Sequence, residues 1–126
     1  MSVPSAPSAQ TTNYAKGVAA EQEAADYLRA RGYNILQSRY KTKFGEVDII
    51  AEHDDIVCFV EVKVRGTHAD ALESITARAR KRIQNAALFF ISENPELNDH
   101  AMRFDVITIS GDGSISHLDN AWQACS

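Results

Sequence analysis

The chain has 126 residues, of which 44% are hydrophobic and 24% charged, and its formal net charge is −4. This length and apolar content suit a single hydrophobic core and leave no room for a second domain. The acidic balance argues against a protein that binds nucleic acid over its whole surface, and no apolar run approaches the ~20 residues that span a bilayer. We therefore expect one small soluble domain without a membrane partner.

The two ends of the chain are predicted to lie outside this domain. Residues 1–13 are small, polar and proline-bearing, which predicts a disordered tail, and they lack the basic and apolar regions of a signal peptide. Residues 122–126 form a short C-terminal tail, so the single domain covers 14–121. Cys58 and Cys125 match no disulfide or metal framework, which favours the cytoplasm.

The first predicted element is a helix over residues 15–31, built from good helix formers and ended by Gly32. Helical spacing places Val18, Ala25 and Leu28 on one apolar stripe, and Glu21 falls on that stripe. An acid on a core-facing stripe needs a partner or a metal ion. The alternative is a Glu at the core boundary that extends to solvent or pairs with a lysine.

A β-hairpin is predicted next, after a strand over 34–41. Two segments rich in β-branched residues form strands over 46–52 and 56–64, and a two-residue turn at Asp54-Asp55 pairs positions whose numbers sum to 109. Asp48 then lies opposite Glu61, on the same face of the hairpin. The full charged face is Glu46, Asp48, Ile50, Phe59, Glu61 and Lys63, and the apolar face is Val47, Ile49, Ala51, Cys58, Val60, Val62 and Val64.

Opposed carboxylates on a largely apolar hairpin indicate a divalent-metal site. Directly opposed Cβ atoms lie roughly 5 Å apart, so Asp48 and Glu61 repel each other unless a cation or proton intervenes. The alternative is a solvated ladder of charges in which Lys63 pairs with Glu46 or Glu61. A one-residue slip of the hairpin would move the whole set to the other face.

The remaining elements are a helix over 72–92, a strand near 103–110 and a short strand or turn near 114–119. The order α-β-β-β-α-β suits a mixed sheet with helices packed against it. Six basic residues stand against two acids between positions 63 and 82, which predicts a phosphate-binding patch beside the carboxylates. A solvated helix face is the alternative. The predicted nucleic-acid contacts are Lys41, Lys43, Arg65, Arg78, Lys81 and Arg82.

These residues carry a resemblance to a known family. The stretches from Ala20 to Leu36, Phe44 to Ala51 and Phe59 to Arg65 resemble the YraN family of uncharacterised bacterial proteins. That family is similar to Holliday-junction resolvases of the restriction-endonuclease-like fold. The resemblance implies an α/β fold with a mixed sheet flanked by helices. It also implies metal ligation by Asp48 and Glu61, a catalytic Lys63 and an auxiliary acid at Glu21.

The function predicted on this basis is metal-dependent phosphodiester hydrolysis. Asp48, Glu61 and the main-chain carbonyl of Val62 would hold Mg²⁺ or Mn²⁺, with Lys63 at the reacting phosphate and Glu46 holding that lysine in place. The predicted partner is nucleic acid, with DNA favoured and branched DNA suggested by the resemblance. The same analogy suggests a homodimer. The alternative is a non-catalytic nucleic-acid-binding or interaction module that keeps the fold.

Overall fold

A computed structural model describes residues 13–123, with side chains from residue 16 onward, so the predicted tail over 1–13 lies almost wholly outside the described residues. The helices are α1 (Asn13–Ala30), α2 (His68–Glu73) and α3 (Ala77–Glu93), and a 3₁₀ turn covers Pro95–Leu97. The strands are β1 (Asn34–Lys41), β2 (Glu46–His53), β3 (Ile56–Val64), β4 (Ala101–Ile109) and β5 (Ile115–Trp122). None of the helices in this part of the chain is long and apolar enough to cross a membrane.

The five strands form one mixed sheet in the order β1-β2-β3-β4-β5. Only the β3–β4 pair is parallel, and α2 and α3 lie in the connection between these two strands. Helix α1 packs on one face through Ala24 and Leu28, whereas α3 packs on the other through Ile83 and Phe90. The predicted fold class, a mixed sheet flanked by helices, is confirmed, and this architecture is compatible with an α/β nuclease-like fold.

The predicted hairpin register is confirmed. The β2–β3 ladder runs from His53–Ile56 to Ile49–Val60, and each of these pairs sums to 109. Asp54 and Asp55 form the turn with φ values of 51° and 63°. Two consecutive residues with positive φ are the conformation of a type I′ turn, whose twist matches that of the flanking strands.

The predicted division of the hairpin faces is wrong at Val47. Ile49, Ala51, Cys58 and Val60 do face α1, but Val47 packs on the α3 side beside Ile50 and Phe59. The strict alternation fails between Val47 and Ile49, at Asp48, beyond the last pair of the β2–β3 ladder, Ile49–Val60. The Asp48 carboxylate accepts the Val62 N–H there. On the other side of β2, Arg39 has a φ of 54°, but the β1–β2 register is the same at Ser38–Ile49 and Tyr40–Val47.

The predicted helix over 72–92 is in fact two helices. Helix α2 ends at Glu73, and α3 begins after Thr76, whose hydroxyl accepts a hydrogen bond from the Ala79 N–H. Thr67 caps α2 in the same way through the Asp70 N–H. A threonine that satisfies an otherwise unbonded N–H marks the start of a helix, so two caps produce two helices. The last strand also extends further than predicted, to Trp122, which stacks on Phe104.

A buried polar network lies on β4, away from the predicted site. The fully buried Asp105 carboxylate accepts two hydrogen bonds from the Arg103 guanidinium, each 2.9 Å long. It also faces His117 Nε2 at 2.8 Å and accepts the Asn120 N–H at 3.1 Å. Arg103 in turn donates to the Tyr33 hydroxyl at 2.8 Å. The network therefore ties β4, β5 and the start of β1 together.

Candidate active site

A cavity of about 660 Å³ opens where the β2–β3 ladder ends. Ile49–Val60 is the last pair of that ladder, although both strands continue past it. In place of a further main-chain pair, the Asp48 carboxylate accepts the Val62 N–H at 2.8 Å. The four predicted catalytic residues line this cavity together: Glu21, Asp48, Glu61 and Lys63.

Asp48 and Glu61 form a buried carboxyl pair at the base of the cavity. Burial raises the pKa of Asp48 to about 7, and the negative charge of Glu61 adds to this effect. Burial likewise raises the pKa of Glu61, whose side chain is 12% exposed. The pair is therefore not a solvated ladder of charges. Without a cation, the arrangement favours one proton shared between the two carboxyl groups.

Lys63 projects beside Glu61, as the sequence predicted, and the Lys63 Nζ lies 3.3 Å from the Glu61 Oε2. The expectation that Glu46 would hold this lysine is wrong. Glu46 instead pairs with Lys41, its neighbour on β1, at a longer distance of 3.9 Å. Both partners of that second pair are more than half exposed, so it contributes little to stability.

Glu21 reaches the same cavity from α1. The stripe of α1 that faces the sheet carries Ala20, Ala24 and Leu28, and Glu21 lies at its edge with a side chain that is 15% exposed. Burial raises the pKa of Glu21, and the nearby Asp48 charge adds to the rise. Glu21, Asp48 and Glu61 therefore converge in one cavity. They do so although Glu21 is on α1, which is separated from the hairpin along the chain by the whole of β1.

Arg39 is the component that the sequence did not reveal. Its Nη1 donates to the Glu21 Oε1 at 2.9 Å and partly offsets the rise in the pKa of that acid. Arg39 is also the residue whose φ of 54° interrupts β1. Non-glycine residues seldom adopt such a φ inside a strand, and no sequence signal marks an arginine for it.

The predicted basic residues separate into three groups. Arg65 and Arg82 line the carboxylate cavity. Arg78 and Lys81 are exposed on the first turns of α3, close to Arg82 along the helix. Lys41 and Lys43 line a second cavity, on the other side of the β1–β2 turn. The predicted patch is therefore continuous only around the start of α3.

Gly45 sets the position of that turn. A Cβ built on Gly45 would lie 2.0 Å from the main-chain oxygen of Arg82, so no other residue fits without displacing α3. The Thr42 hydroxyl also accepts the N–H groups of Phe44 and Gly45, at 3.0 and 3.1 Å. The turn is thus held tightly against the helix that carries Arg82.

A divalent cation such as Mg²⁺ requires several oxygen ligands, at least one or two of them carboxylates. Within the part of the chain whose side chains are described, no group of three or more His, Cys, Asp and Glu residues is arranged to hold a metal ion. Asp48 and Glu61 nevertheless offer two carboxyl groups whose pKa values are raised by burial, so a bound cation would take the place of their proton. Two carboxylates with water completing the shell are the donor set that Mg²⁺ commonly accepts. The residues fit such an ion.

Comparison with known proteins identifies the family. The model of the uncharacterised protein family UPF0102 matches residues 20–109, which include all of the acids described above. The chain belongs to the UPF0102 family. The prediction of the YraN family is thereby confirmed, since the two names denote the same group.

Curated members of UPF0102 are similar over most of their length. A UPF0102 protein of Azorhizobium caulinodans is 44% identical over 110 residues, which cover 87% of this chain and 84% of the relative. One from Rhodopseudomonas palustris is 43% identical over 116 residues, covering 92% and 89%. One from Bradyrhizobium diazoefficiens is 40% identical over 108 residues, covering 86% and 81%. Their names state family membership and no activity.

Proposed function

We propose that this UPF0102 protein is a metal-dependent nuclease that hydrolyses phosphodiester bonds of DNA. The observation that carries the proposal is the convergence of three partly buried carboxylates and one lysine in a single cavity. Burying this much like charge is costly unless a cation compensates it. A structural role does not require three acids with raised pKa values at one end of a sheet.

Asp48, Glu61 and the main-chain carbonyl of Val62 are the proposed ligands of Mg²⁺ or Mn²⁺. A divalent ion bound there would stabilise negative charge on a phosphate and lower the pKa of a bound water. Glu21 is 15% exposed and close to Asp48, so it would accept hydrogen bonds from water in the cavity. Arg39 fixes the orientation of Glu21 through their 2.9 Å bond.

Lys63 supplies a proton donor at the reacting phosphate. Its ammonium group is 27% exposed and lies 3.3 Å from the Glu61 carboxylate, at the edge of the cavity. It can therefore donate a hydrogen bond to a phosphate oxygen on which negative charge develops. Arg65 and Arg82 line the same cavity and would bind the phosphates on either side of the cleaved one.

The test is a cleavage assay with branched, flapped, single-stranded and duplex DNA in the presence of Mn²⁺. We expect the parent protein to cleave at least one substrate, and Lys63→Ala and Glu61→Gln to reduce the rate at least 100-fold. Glu23→Gln is the matched control, because Glu23 is an exposed acid on α1 two residues from Glu21. Its rate should equal that of the parent.

Two results would reject the proposal. One is retention of cleavage in both Lys63→Ala and Glu61→Gln, which would attribute the activity to a contaminant or to another site. The other is binding of DNA without cleavage of any substrate by the parent protein. That second outcome would favour a non-catalytic DNA-binding module that keeps the carboxylates for another purpose.

A further inference from the structure

Two exposed phenylalanines form an aromatic surface beside the carboxylate cavity. Among the described residues, Phe44 and Phe89 are the aromatic members of the set of well-exposed large apolar side chains, at 44% and 37%. Their ring centroids lie 5.5 Å apart with the planes tilted by 50°. Neither ring belongs to the two core clusters. Packing of the core therefore does not explain why both rings are present at this place.

The aromatic pair borders a second cavity of about 580 Å³. Tyr40 and Phe90 also line it, and their rings meet edge to face at 5.2 Å. Phe90 is only 6% exposed and belongs to the core, so this side of the cavity is rigid. The cavity thus combines an apolar base with aromatic faces that are open to solvent.

The charge around this cavity suits an anionic ligand. Lys41 and Lys43 line it, and the Lys43 Nζ lies 5.4 Å from the centroid of the Phe44 ring. Glu93 is the acid in the lining, so the charged groups of the lining sum to one positive charge, although Lys41 also pairs with Glu46 outside it at 3.9 Å. A ligand with a flat apolar group and a nearby negative charge matches both features. An unpaired nucleobase on its phosphate backbone has this chemistry.

The position of the aromatic pair links it to the carboxylate site. Phe44 lies two residues before Glu46, which lines the carboxylate cavity, so their Cα atoms are at most about 7 Å apart. The intervening Gly45 lies against the main chain of Arg82, which holds the turn on α3. Phe89 extends from the same helix. The distance between the two cavities is therefore fixed by packed elements.

We propose that Phe44 and Phe89 form a stacking site for an unpaired base of DNA, next to the phosphate held at the carboxylates. This proposal rests on the proposed function, because it names the form of DNA that the same site takes. Lys41 and Lys43 contact the phosphates of the strand that carries the stacked base. Base-to-ring stacking accepts any base, so the site selects for unpaired structure and not for sequence.

The experiment measures binding by fluorescence anisotropy in Ca²⁺, which suppresses cleavage. The ligands are a single-stranded 12-mer and the duplex of the same sequence. Phe44→Leu keeps the apolar bulk and removes the aromatic face, and it should weaken single-strand binding about 5- to 100-fold. Binding to the duplex should stay within about twofold. Phe44→Tyr restores a ring and should restore single-strand affinity.

Leu118→Ala is the matched control, because Leu118 on β5 is 45% exposed, nearly the same as Phe44. Its affinity for both ligands should equal that of the parent. A second readout uses a single strand that contains 2-aminopurine, whose fluorescence falls on stacking. The parent should quench it and Phe44→Leu should quench it less.

Several outcomes separate this proposal from the proposed nuclease activity. Selective loss of single-strand binding in Phe44→Leu supports the stacking site even if the parent cleaves nothing. If Phe44→Leu weakens the binding of the single strand and of the duplex equally, or weakens neither, the stacking site is overturned even if the parent is an active nuclease. Failure of the parent to bind single strands also overturns it, and would leave the aromatic pair as a contact surface for a protein.

Discussion

Asp48 and Asp105 are two buried aspartates of one sheet, and their environments shift their pKa values in opposite directions. Burial acts to raise the pKa of Asp105, but hydrogen bonds from His117, Arg103 and the Asn120 N–H outweigh it, so that pKa is lowered. Burial also raises the pKa of Asp48, and there the Val62 N–H and the charge of Lys63 oppose the rise without overcoming it. The negative charge of the neighbouring Glu61 adds to the effect of burial, and the pKa of Asp48 is raised to about 7.

The difference lies in the charge balance around each carboxylate. Asp105 has a guanidinium, an imidazole and a main-chain N–H directed at it, so its negative charge is compensated inside the fold. Asp48 has one main-chain donor and faces the carboxyl groups of Glu61 and Glu21. The Asp105 network is complete without a ligand, whereas the three acids of the Asp48 cluster share only two positive charges, those of Lys63 and Arg39. We infer that the first network stabilises the fold and the second binds a cation.

The largest effect on stability is expected at Asp105. Asp105→Ala should lower the free energy of unfolding by about 3–5 kcal/mol, because it leaves the largely buried Arg103 without its partner. Urea unfolding followed by circular dichroism measures this change. Asp119→Ala is the control, since Asp119 is an exposed aspartate on β5. A loss below 1 kcal/mol for Asp105→Ala would contradict the structural role of the network.

A smaller change of opposite sign is expected at Asp48. Asp48→Asn should raise the stability of the metal-free protein at pH 8 by about 1–3 kcal/mol, because it removes a buried charge from an acidic cluster. Asparagine keeps an oxygen that can accept the Val62 N–H. Urea unfolding in EDTA measures the change, and Asp26→Asn, at an exposed position on α1, is the control.

The gain at Asp48 should depend on pH in a defined direction. The ordinary pKa of 3.8 applies to the unfolded chain, and the folded value is about 7. Between these values the folded protein binds the proton more tightly, so the parent loses stability as pH rises from 3.8 to 7. The advantage of Asp48→Asn should therefore be larger at pH 8 than at pH 5. If the stability of Asp48→Asn relative to the parent instead grew as pH falls, Asp48 would be ionised in the folded protein, with its charge compensated by neighbouring groups.

Much of this arrangement could be predicted from the sequence because the decisive interactions are local. The Asp54-Asp55 turn fixes the hairpin register, and that register places Asp48 near Glu61. The spacing of α1 likewise predicted Glu21 on the core-facing stripe of the helix, and its side chain lies at the edge of that stripe. The two caps at Thr67 and Thr76 were not predicted, because the apolar spacing was interpreted as one continuous helix.

The remaining features depend on contacts between distant parts of the chain. Arg39 and Glu21 are 18 positions apart, and Arg103 and Tyr33 are 70 apart. The left-handed φ of Arg39 and the position of Val47 on the α3 face were also not predicted, and arginine has no preference for that φ. Periodicity predicts which residues face the core. It does not predict which of two buried aspartates receives the compensating charge.

Glu21 should show an intermediate behaviour, since Arg39 compensates it in part. Glu21→Gln should change the stability of the metal-free protein by less than about 1 kcal/mol, because the loss of repulsion from Asp48 is offset by a weaker bond to Arg39. The same change should weaken Mn²⁺ binding. Urea unfolding and a Mn²⁺ titration measure the two effects, with Glu23→Gln as the control. An unchanged Mn²⁺ affinity would remove Glu21 from the site.

The smallest effect is expected on the exposed face of α3. The double change Arg78→Ala and Arg82→Ala should reduce the slope of log affinity against log salt by about two, because each arginine neutralises one phosphate of the bound DNA. Lys81→Ala should reduce it by about one. Anisotropy with two unrelated duplexes in Ca²⁺ measures the slopes, which should fall equally for both.

Arg29→Ala with Arg31→Ala is the matched control for this double change. Both arginines are exposed beside the C-terminal end of α1, and neither lines the carboxylate cavity. Their removal should leave the slope unchanged. If the Arg78 and Arg82 change had no more effect than this control, the DNA path would have to run near Lys41, Lys43 and Arg65.

The most direct test of the central claim is a thermal-denaturation titration with Mn²⁺ at pH 7. The three acids of the Asp48 cluster outnumber its two cations, Lys63 and Arg39, so Mn²⁺ should raise the Tm of the parent in a saturable manner. Asp48→Asn should show little or no rise, and Asp119→Asn should match the parent. An equal rise in the parent and in Asp48→Asn, or no rise in the parent, would contradict the assignment of the Asp48 cluster as a cation site.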